Sequence, residues 1–317
     1  LSEKFDVISN ADREPWPAEL LEANLKKADA AVVFMPDHVG AEVLDRSPKL
    51  KMVSCCLKGF DNFDINACSE RGVLVSILPD LLTEPGAELA IGLMLAAGRH
   101  VLSADAYVRR GDFKGWRPRF YGKSLAESTV GIVGFGAVGQ SIAERLTGFR
   151  SNVIYWDKRR LDQAAERRLD ANYQEFDALL AQSDFVIVAL VLTPETRHII
   201  NAERLSRMKS DAILINFARG SLVDEAAVAR ALEANRLAFY AADVFEFEDW
   251  ALPGRPKAIN PALISQTERT LFTPHLGSAV TRVREEMAMQ AAENVIAFFD
   301  GRVPDGALNA DKVFIKV

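Results

Sequence analysis

The chain has 317 residues, 49% hydrophobic and 26% charged, with 38 basic against 44 acidic side chains and a net charge of −6. That length exceeds one ordinary hydrophobic core and predicts two domains, and the acidic balance argues against a nucleic-acid partner, which needs a basic patch. No apolar run reaches the ~18 residues of a membrane span and no signal-peptide pattern opens the chain, so no membrane partner is expected. Cys55, Cys56 and Cys68 lack metal or redox spacing and read as core thiols in a reducing, cytoplasmic setting, with no metal site.

In chain order, residues 5–8 and 30–34 read as short strands with a helical stretch, 17–28, between them. Residues 52–57 and 72–76 give two more strands, separated by Lys58-Gly59-Phe60-Asp61-Asn62-Phe63-Asp64 and a helix over 65–71 that stops at Gly72. Strands alternating with helices imply parallel pairing in a small α/β layer. A doubly wound sheet here lacks an opening strand, and with Leu1 in place of Met this predicts an N-terminus short of its first strand. Residues 84–99 form a long apolar helix rich in small residues, and 101–110 continue helical. Residues 111–122 form a loop holding Trp116, Pro118, Phe120 and Tyr121, which reads as an arm for a partner subunit or a wall of an active site.

Thr129-Val130-Gly131-Ile132-Val133-Gly134-Phe135-Gly136-Ala137-Val138-Gly139 is a β-branched strand running into Gly-x-Gly-x-x-Gly, followed by a helical pattern over 140–146. A dinucleotide site needs one glycine for the tight turn, one for backbone approach to the pyrophosphate and one for helix–strand packing. The helix that follows turns free N–H groups and its positive end toward the phosphates. A second strand, 153–155, leads to Asp157, about 20 residues beyond the first glycine, where a ribose diol is held. Asp157 favours NAD by repelling a 2′-phosphate, while Lys158, Arg159 and Arg160 leave room for NADP to be tolerated. Four more strands, 185–190, 212–216, 239–243 and 271–273, alternate with helices or turns. A long helix over 280–301 then returns toward the first domain, leaving a cleft that faces the ends of the central strands.

Charged residues recur at those strand ends: Asn216-Phe217-Ala218-Arg219-Gly220, Asp243-Val244-Phe245-Glu246-Phe247-Glu248 and Thr273-Pro274-His275. A guanidinium clamps an oxyanion through two parallel bonds, and an imidazole near pH 7 takes or gives a proton while a carboxylate fixes its tautomer. Alone, each has an ordinary structural reading: a carbonyl cap, a surface Glu, a satisfied His.

Together with the glycine turn and Thr273-Pro274-His275-Leu276-Gly277, these motifs resemble the D-isomer-specific 2-hydroxyacid dehydrogenases in order and spacing over nearly the whole chain. The resemblance implies an α/β protein with a doubly wound, parallel-sheet nicotinamide-binding (Rossmann) domain over 82–277. It implies a smaller flavodoxin-like substrate domain over 1–81, to which 278–317 return, and a homodimer. It further implies that His275 is the acid/base, Glu248 orients it, and Arg219 binds substrate. Gly134, Gly136, Ala137, Val138, Gly139, Asp157, Lys158, Arg159, Ala218, Asp243, His275 and Gly277 would meet the cofactor. The family usually has proline after this Glu, where this chain has Asp249-Trp250.

Within the family, Leu57-Lys58-Gly59-Phe60-Asp61-Asn62-Phe63-Asp64 resembles the phosphite dehydrogenases, which carry a lysine before the glycine. Gly115-Trp116-Arg117-Pro118-Arg119-Phe120-Tyr121-Gly122, Phe245-Glu246-Phe247-Glu248-Asp249-Trp250 and Gly277-Ser278-Ala279-Val280 share that likeness. It implies NAD-dependent oxidation of phosphite, with Lys58 joining the catalytic set and Met35, Lys58, Gly59, Trp116, Tyr121, Arg219, Ser278 and Arg284 around a small anion. A dianion matches two or three fixed cations better than one. The alternatives are a 2-hydroxy or 2-keto acid substrate of the lactate, glycerate or hydroxypyruvate type, and an NAD-sensing corepressor-like binding protein.

Overall fold

The computed structural model describes residues 1–12 and 14–314. In order the chain runs α1 (Ala18–Leu25), β1 (Ala30–Val33), α2 (Ala41–Asp45), β2 (Met52–Cys55), α3 (Ile65–Glu70), β3 (Leu74–Ser76), α4 (Thr83–Gly98), α5 (Val101–Arg109) and β4 (Thr129–Val133). There follow α6 (Ala137–Leu146), β5 (Asn152–Trp156), α7 (Gln163–Leu169), β6 (Ala171–Tyr173), α8 (Phe176–Gln182), β7 (Phe185–Val188) and α9 (Ala202–Leu205). The rest is β8 (Ile213–Asn216), α10 (Glu225–Glu233), β9 (Phe239–Ala242), α11 (Pro261–Ile264), β10 (Thr270–Phe272), α12 (Thr281–Phe299) and α13 (Ala310–Val313). Among the described residues, no single helix is long and apolar enough to cross a membrane.

The chain divides into two compact units. The smaller takes Leu1–Leu82, Trp250–Pro253 and Val280–Val317; the larger takes Thr83–Asp249 and Gly254–Ala279. Trp250–Pro253 thus leaves the larger unit, an excursion the sequence pattern does not announce.

In the smaller unit β1, β2 and β3 pair in parallel in that order. Val33, Val53, Cys55, Cys68 and Val75 form the core on one face. Helix α12 covers β2 and β1, tied by Ser54 Oγ donating to the Ala291 carbonyl at 2.9 Å. Asn309 closes the other side, its Oδ1 accepting the Val75 N–H and its Nδ2 donating to the Val73 carbonyl, both at 2.9 Å. Residues 5–8, expected as a strand, are not one. Phe5 packs on Phe299, Val7 and Ile8 are exposed, and the run forms no ladder with the edge strand β1. A strand needs a ladder partner for its backbone, whatever its side chains prefer. All three cysteines are buried and free; burial raises each thiol, Cys56 to about 11 and Cys68 to about 12.

The larger unit is a seven-stranded, wholly parallel sheet in the order β10-β9-β8-β7-β4-β5-β6. The chain leaves β4 toward β5 and β6, then crosses to β7 and continues outward the other way. The switch point lies between β4 and β7, where open α/β sheets bind ligands beyond the strand ends. Every residue of β7, β8 and β9 is buried, as strands covered on both faces require. Strand β6 and its helix α7 leave almost no apolar pattern in the sequence. The strand has three residues at a sheet edge with only Ala171 buried, and α7 buries only Leu169. Helix α5 buries nothing, and Val101, Leu102, Val108, Phe113, Trp116 and Tyr121 stand exposed along it and the arm that follows.

Candidate active site

At the end of β4 each glycine meets a different constraint. Gly134 has φ +98°, and a Cβ there would lie 2.5 Å from the Ala189 carbonyl oxygen. A Cβ on Gly139 would strike the backbone of Gly134, so this residue lets α6 pack against the turn. A Cβ on Gly136 meets nothing within 4 Å. Its backbone therefore faces open space at the N-terminus of the ten-residue α6, the setting a pyrophosphate needs. Ala137 and Val138 open that helix.

Asp157 follows β5 and accepts the Phe135 N–H at 2.7 Å and the Arg159 N–H at 3.1 Å. Its carboxylate thus holds the glycine turn. Of the three basic residues, Arg160 is engaged by Glu166 at 2.8 and 2.9 Å, while Lys158 and Arg159 remain exposed. These residues fit a dinucleotide: an open glycine, a helix N-terminus and an acid at the end of the next strand.

Strands on the far side of the switch point carry the expected arginine, glutamate and histidine at their ends. After β8, buried Asn216 pins the loop, its Nδ2 donating to the Arg219 carbonyl at 2.8 Å and its Oδ1 accepting the Ala218 N–H at 3.2 Å. The Arg219 guanidinium donates to the Ala218 carbonyl at 2.9 Å. After β9, Asp243 is wholly buried and its carboxylate takes the Thr273 hydroxyl at 2.6 Å, the Leu276 N–H at 2.7 Å and the Gly277 N–H at 3.0 Å. Burial raises this carboxyl above the ordinary aspartate range, and those bonds work against the rise.

His275 has φ +56°, in the left-handed region, and its N–H is held by the Asp243 carbonyl at 2.8 Å. That backbone turns the ring so that Nδ1 meets Glu248 Oε2 at 2.8 Å. Glu248 stands on a single 3-10 turn, Glu246–Glu248, its Oε1 accepting the Phe245 N–H at 2.9 Å. With Nδ1 committed to Glu248, the Nε2 edge is the one available for proton transfer. The structure therefore brings Arg219, Asp243, Glu248, His275 and Gly277 together on the strand ends of the larger unit.

The remaining predicted substrate residues fall elsewhere. Lys58 and Gly59 follow β2 in the smaller unit, Met35 follows β1 with its carbonyl held by Asn62 Nδ2 at 2.7 Å, and Arg284 lies in the first turn of α12 with its guanidinium over Phe34. Lys58, Gly59 and Met35 thus sit at carboxyl ends of parallel strands. Lys58 is half-buried, and desolvation lowers its ammonium below the usual lysine range while Asp80 opposes that shift. Ser278 sits next to Gly277, partly buried. Trp116 and Tyr121 project from the arm, 77% and 78% exposed, and the chain by itself does not bury them against the strand-end groups. Sequence reasoning gave no role to Thr273 or Gly220. A Cβ on Gly220 would overlap the Phe245–Glu246 peptide, 1.9 Å from the Phe245 carbonyl carbon.

A doubly wound sheet, an open glycine turn and a carboxylate–imidazole pair at the strand ends are the frame of a nicotinamide-dependent dehydrogenase. Residues 91–277 match the family described as D-isomer specific 2-hydroxyacid dehydrogenase, NAD binding domain. The chain is 39% identical to the glyoxylate reductase of Pyrococcus horikoshii, covering 100% of this chain and 93% of that one. It superposes on the TT0316 protein of Thermus thermophilus with a TM-score of 0.84 at 34% identity, covering 93% of this chain and 90% of that one. The D-lactate dehydrogenase of Aquifex aeolicus, solved with NAD and lactic acid, gives 0.80 at 27% identity, with coverage of 92% and 87%. The chain belongs to the D-isomer-specific 2-hydroxyacid dehydrogenase family and is an NAD-dependent oxidoreductase. These names correct the narrower sequence reading: they support the 2-hydroxy acid alternative better than the phosphite dehydrogenases.

Proposed function

We propose that the chain interconverts a small 2-oxo acid of the glyoxylate class and its 2-hydroxy acid. The His275–Glu248 pair at the strand ends carries this reading, and the names of the relatives supply the substrate class. Bound NADH supplies the hydride, and the protein does the rest. Arg219 clamps the carboxylate and polarises the carbonyl. His275, held through Nδ1, gives its Nε2 proton to the carbonyl oxygen as charge develops there, and Glu248 stabilises the imidazolium beforehand. Run backwards, neutral His275 takes the hydroxyl proton.

A second reading, phosphite oxidation, is favoured by one observation: a half-buried lysine, Lys58, directly before Gly59. A monocarboxylate has less use for it than a dianion. Under that reading His275 deprotonates the attacking water, and Arg219 binds the phosphite oxygens. Absorbance at the NADH band separates the two: loss of NADH with glyoxylate or hydroxypyruvate supports the first, and NADH formation with phosphite supports the second. Under the second reading Lys58→Ala abolishes phosphite oxidation. Failure with every 2-oxo acid together with turnover of phosphite overturns the first reading.

The exposed apolar face of α5 and the arm supports a homodimer, since an unburied helix carrying this much apolar surface is rarely left to water.

A further inference from the structure

Glu248 must hold His275 to within a few tenths of an ångström, yet it stands on a single 3-10 turn, which cannot stabilise itself. Behind that turn lies a group of charged side chains that no step of the reaction uses. Glu246, two residues before Glu248, is 8% exposed, and Glu225, the first residue of α10, is 3% exposed. The two are joined reciprocally: the Glu225 N–H donates to Glu246 Oε1 at 3.0 Å, and the Glu246 N–H donates to Glu225 Oε1 at 2.8 Å. The second oxygen of Glu246 meets His198 Nε2 at 2.9 Å. His198 is itself fixed, with φ +49° and its N–H on the Ser221 carbonyl at 2.7 Å. The Ser221 N–H in turn donates to buried Asp249 at 2.6 Å, so both ends of the turn are anchored.

Buried carboxylates are costly, and well-packed apolar residues are often at least as stabilising in their place. The reciprocal bonds supply what apolar packing does not: direction. They fix the peptide of Glu246 along two axes, so the side chain two residues on leaves the turn at one angle only. Burial lifts the Glu225 carboxyl to about 7, and the nearby charge of Glu246 adds to this. Glu225 can therefore carry its own proton near neutral pH, which relieves like-charge repulsion with Glu246.

We propose that Glu225, Glu246 and His198 are positioning residues that set the Glu248 turn in register with His275. The inference rests on the acid/base reading of His275, but its primary test needs no substrate. The hydrogen-bonded Nδ1 proton of His275 gives a downfield proton resonance, assigned by its absence in His275→Ala; the chain has only four histidines, which keeps that region simple. In Glu246→Ala the resonance broadens or disappears while NADH affinity and circular dichroism stay as in the parent. Glu246→Gln keeps an oxygen for the Glu225 N–H and restores the signal. With the substrate identified above, Glu246→Ala lowers kcat by about 30-fold or more with KM for NADH unchanged, as an ångström-scale misplacement does, and Glu246→Gln recovers most of it.

A sharp, unshifted His275 resonance in Glu246→Ala overturns the proposal. Should that variant fail to fold, His198→Ala is read the same way, its partly exposed ring being removable without opening the core, and an unchanged resonance there overturns the proposal equally. A wild-type resonance that responds as described in a protein that turns over no 2-oxo acid rejects the functional reading alone.

Discussion

Gly220→Ala tests how the strand-end groups are held. Gly220 follows Arg219, opens the 3-10 turn Gly220–Leu222, and faces the turn that carries Glu248. The added Cβ would lie 1.9 Å from the Phe245 carbonyl carbon and 2.2 Å from both the Phe245 oxygen and the Glu246 nitrogen. These are backbone atoms and cannot swing aside. Ordinary contact begins near 3.4 Å, so the two segments must part by about 1.5 Å in an interior with no slack. Overpacking of this kind costs about 1–3 kcal/mol. In a unit of this size that lowers Tm by about 2–4 °C for each kcal/mol. The kinetic effect is larger, because the same movement displaces both Arg219 and Glu248, and misplacement by an ångström costs about 100-fold in kcat. With the dinucleotide on the glycine turn at β4, as proposed, NADH affinity stays within about 3-fold, less than 1 kcal/mol. Thermal unfolding, NADH titration and steady-state kinetics on one preparation check all three. A Gly220→Ala protein with parental kcat refutes the claim that this packing sets the catalytic geometry.

Glu225→Gln flattens a pH dependence. A carboxyl whose folded pKa is about 7 against an ordinary value of 4.5 binds a proton on folding, so its stabilising share is complete below pH 4.5 and is lost as pH rises through 7; at 1.36 kcal/mol per unit the wild type loses about 3 kcal/mol over that window and the variant does not. Denaturant unfolding at pH 5 and pH 8 reads the difference, and equal slopes contradict it. Asp157→Asn keeps an oxygen for the Phe135 N–H but removes the charge, so the NADP-to-NAD ratio of kcat/KM rises about 10-fold or more, ~1.4 kcal/mol, through exposed Lys158 and Arg159; an unchanged ratio places the ribose elsewhere. Trp116→Ser with Tyr121→Ser lowers the mass measured by light scattering from that of a dimer to that of one chain, and an unaltered mass removes the arm from the interface.

Much of the larger unit was legible because its signals are local. The β4 strand, the glycine turn and α6 follow one another within about twenty residues, and each residue type answers a constraint visible in the sequence. Strand-end residues such as Arg219, Glu248 and His275 were legible as a set, since parallel strands bring their carboxyl ends together. What escaped depends on distant partners. Residues 5–8 have the composition of a strand but form no ladder with the edge strand β1, whereas Ala171–Tyr173 is a strand despite Asn172, paired with Val153–Tyr155. Glu225 and Glu246 carry no motif of their own, and bonds between residues 21 apart leave no periodic trace. The excursion of Trp250–Pro253 into the smaller unit follows Asp249, where the family usually has proline, and nothing in its composition announces that course.

The central claim is that His275, held by Glu248, moves the proton. His275→Ala tests it most directly: on the substrate the wild type turns over best, kcat falls by about 100-fold or more, while NADH binds with parental affinity. Turnover near the parental rate in a folded, NADH-binding His275→Ala protein contradicts it.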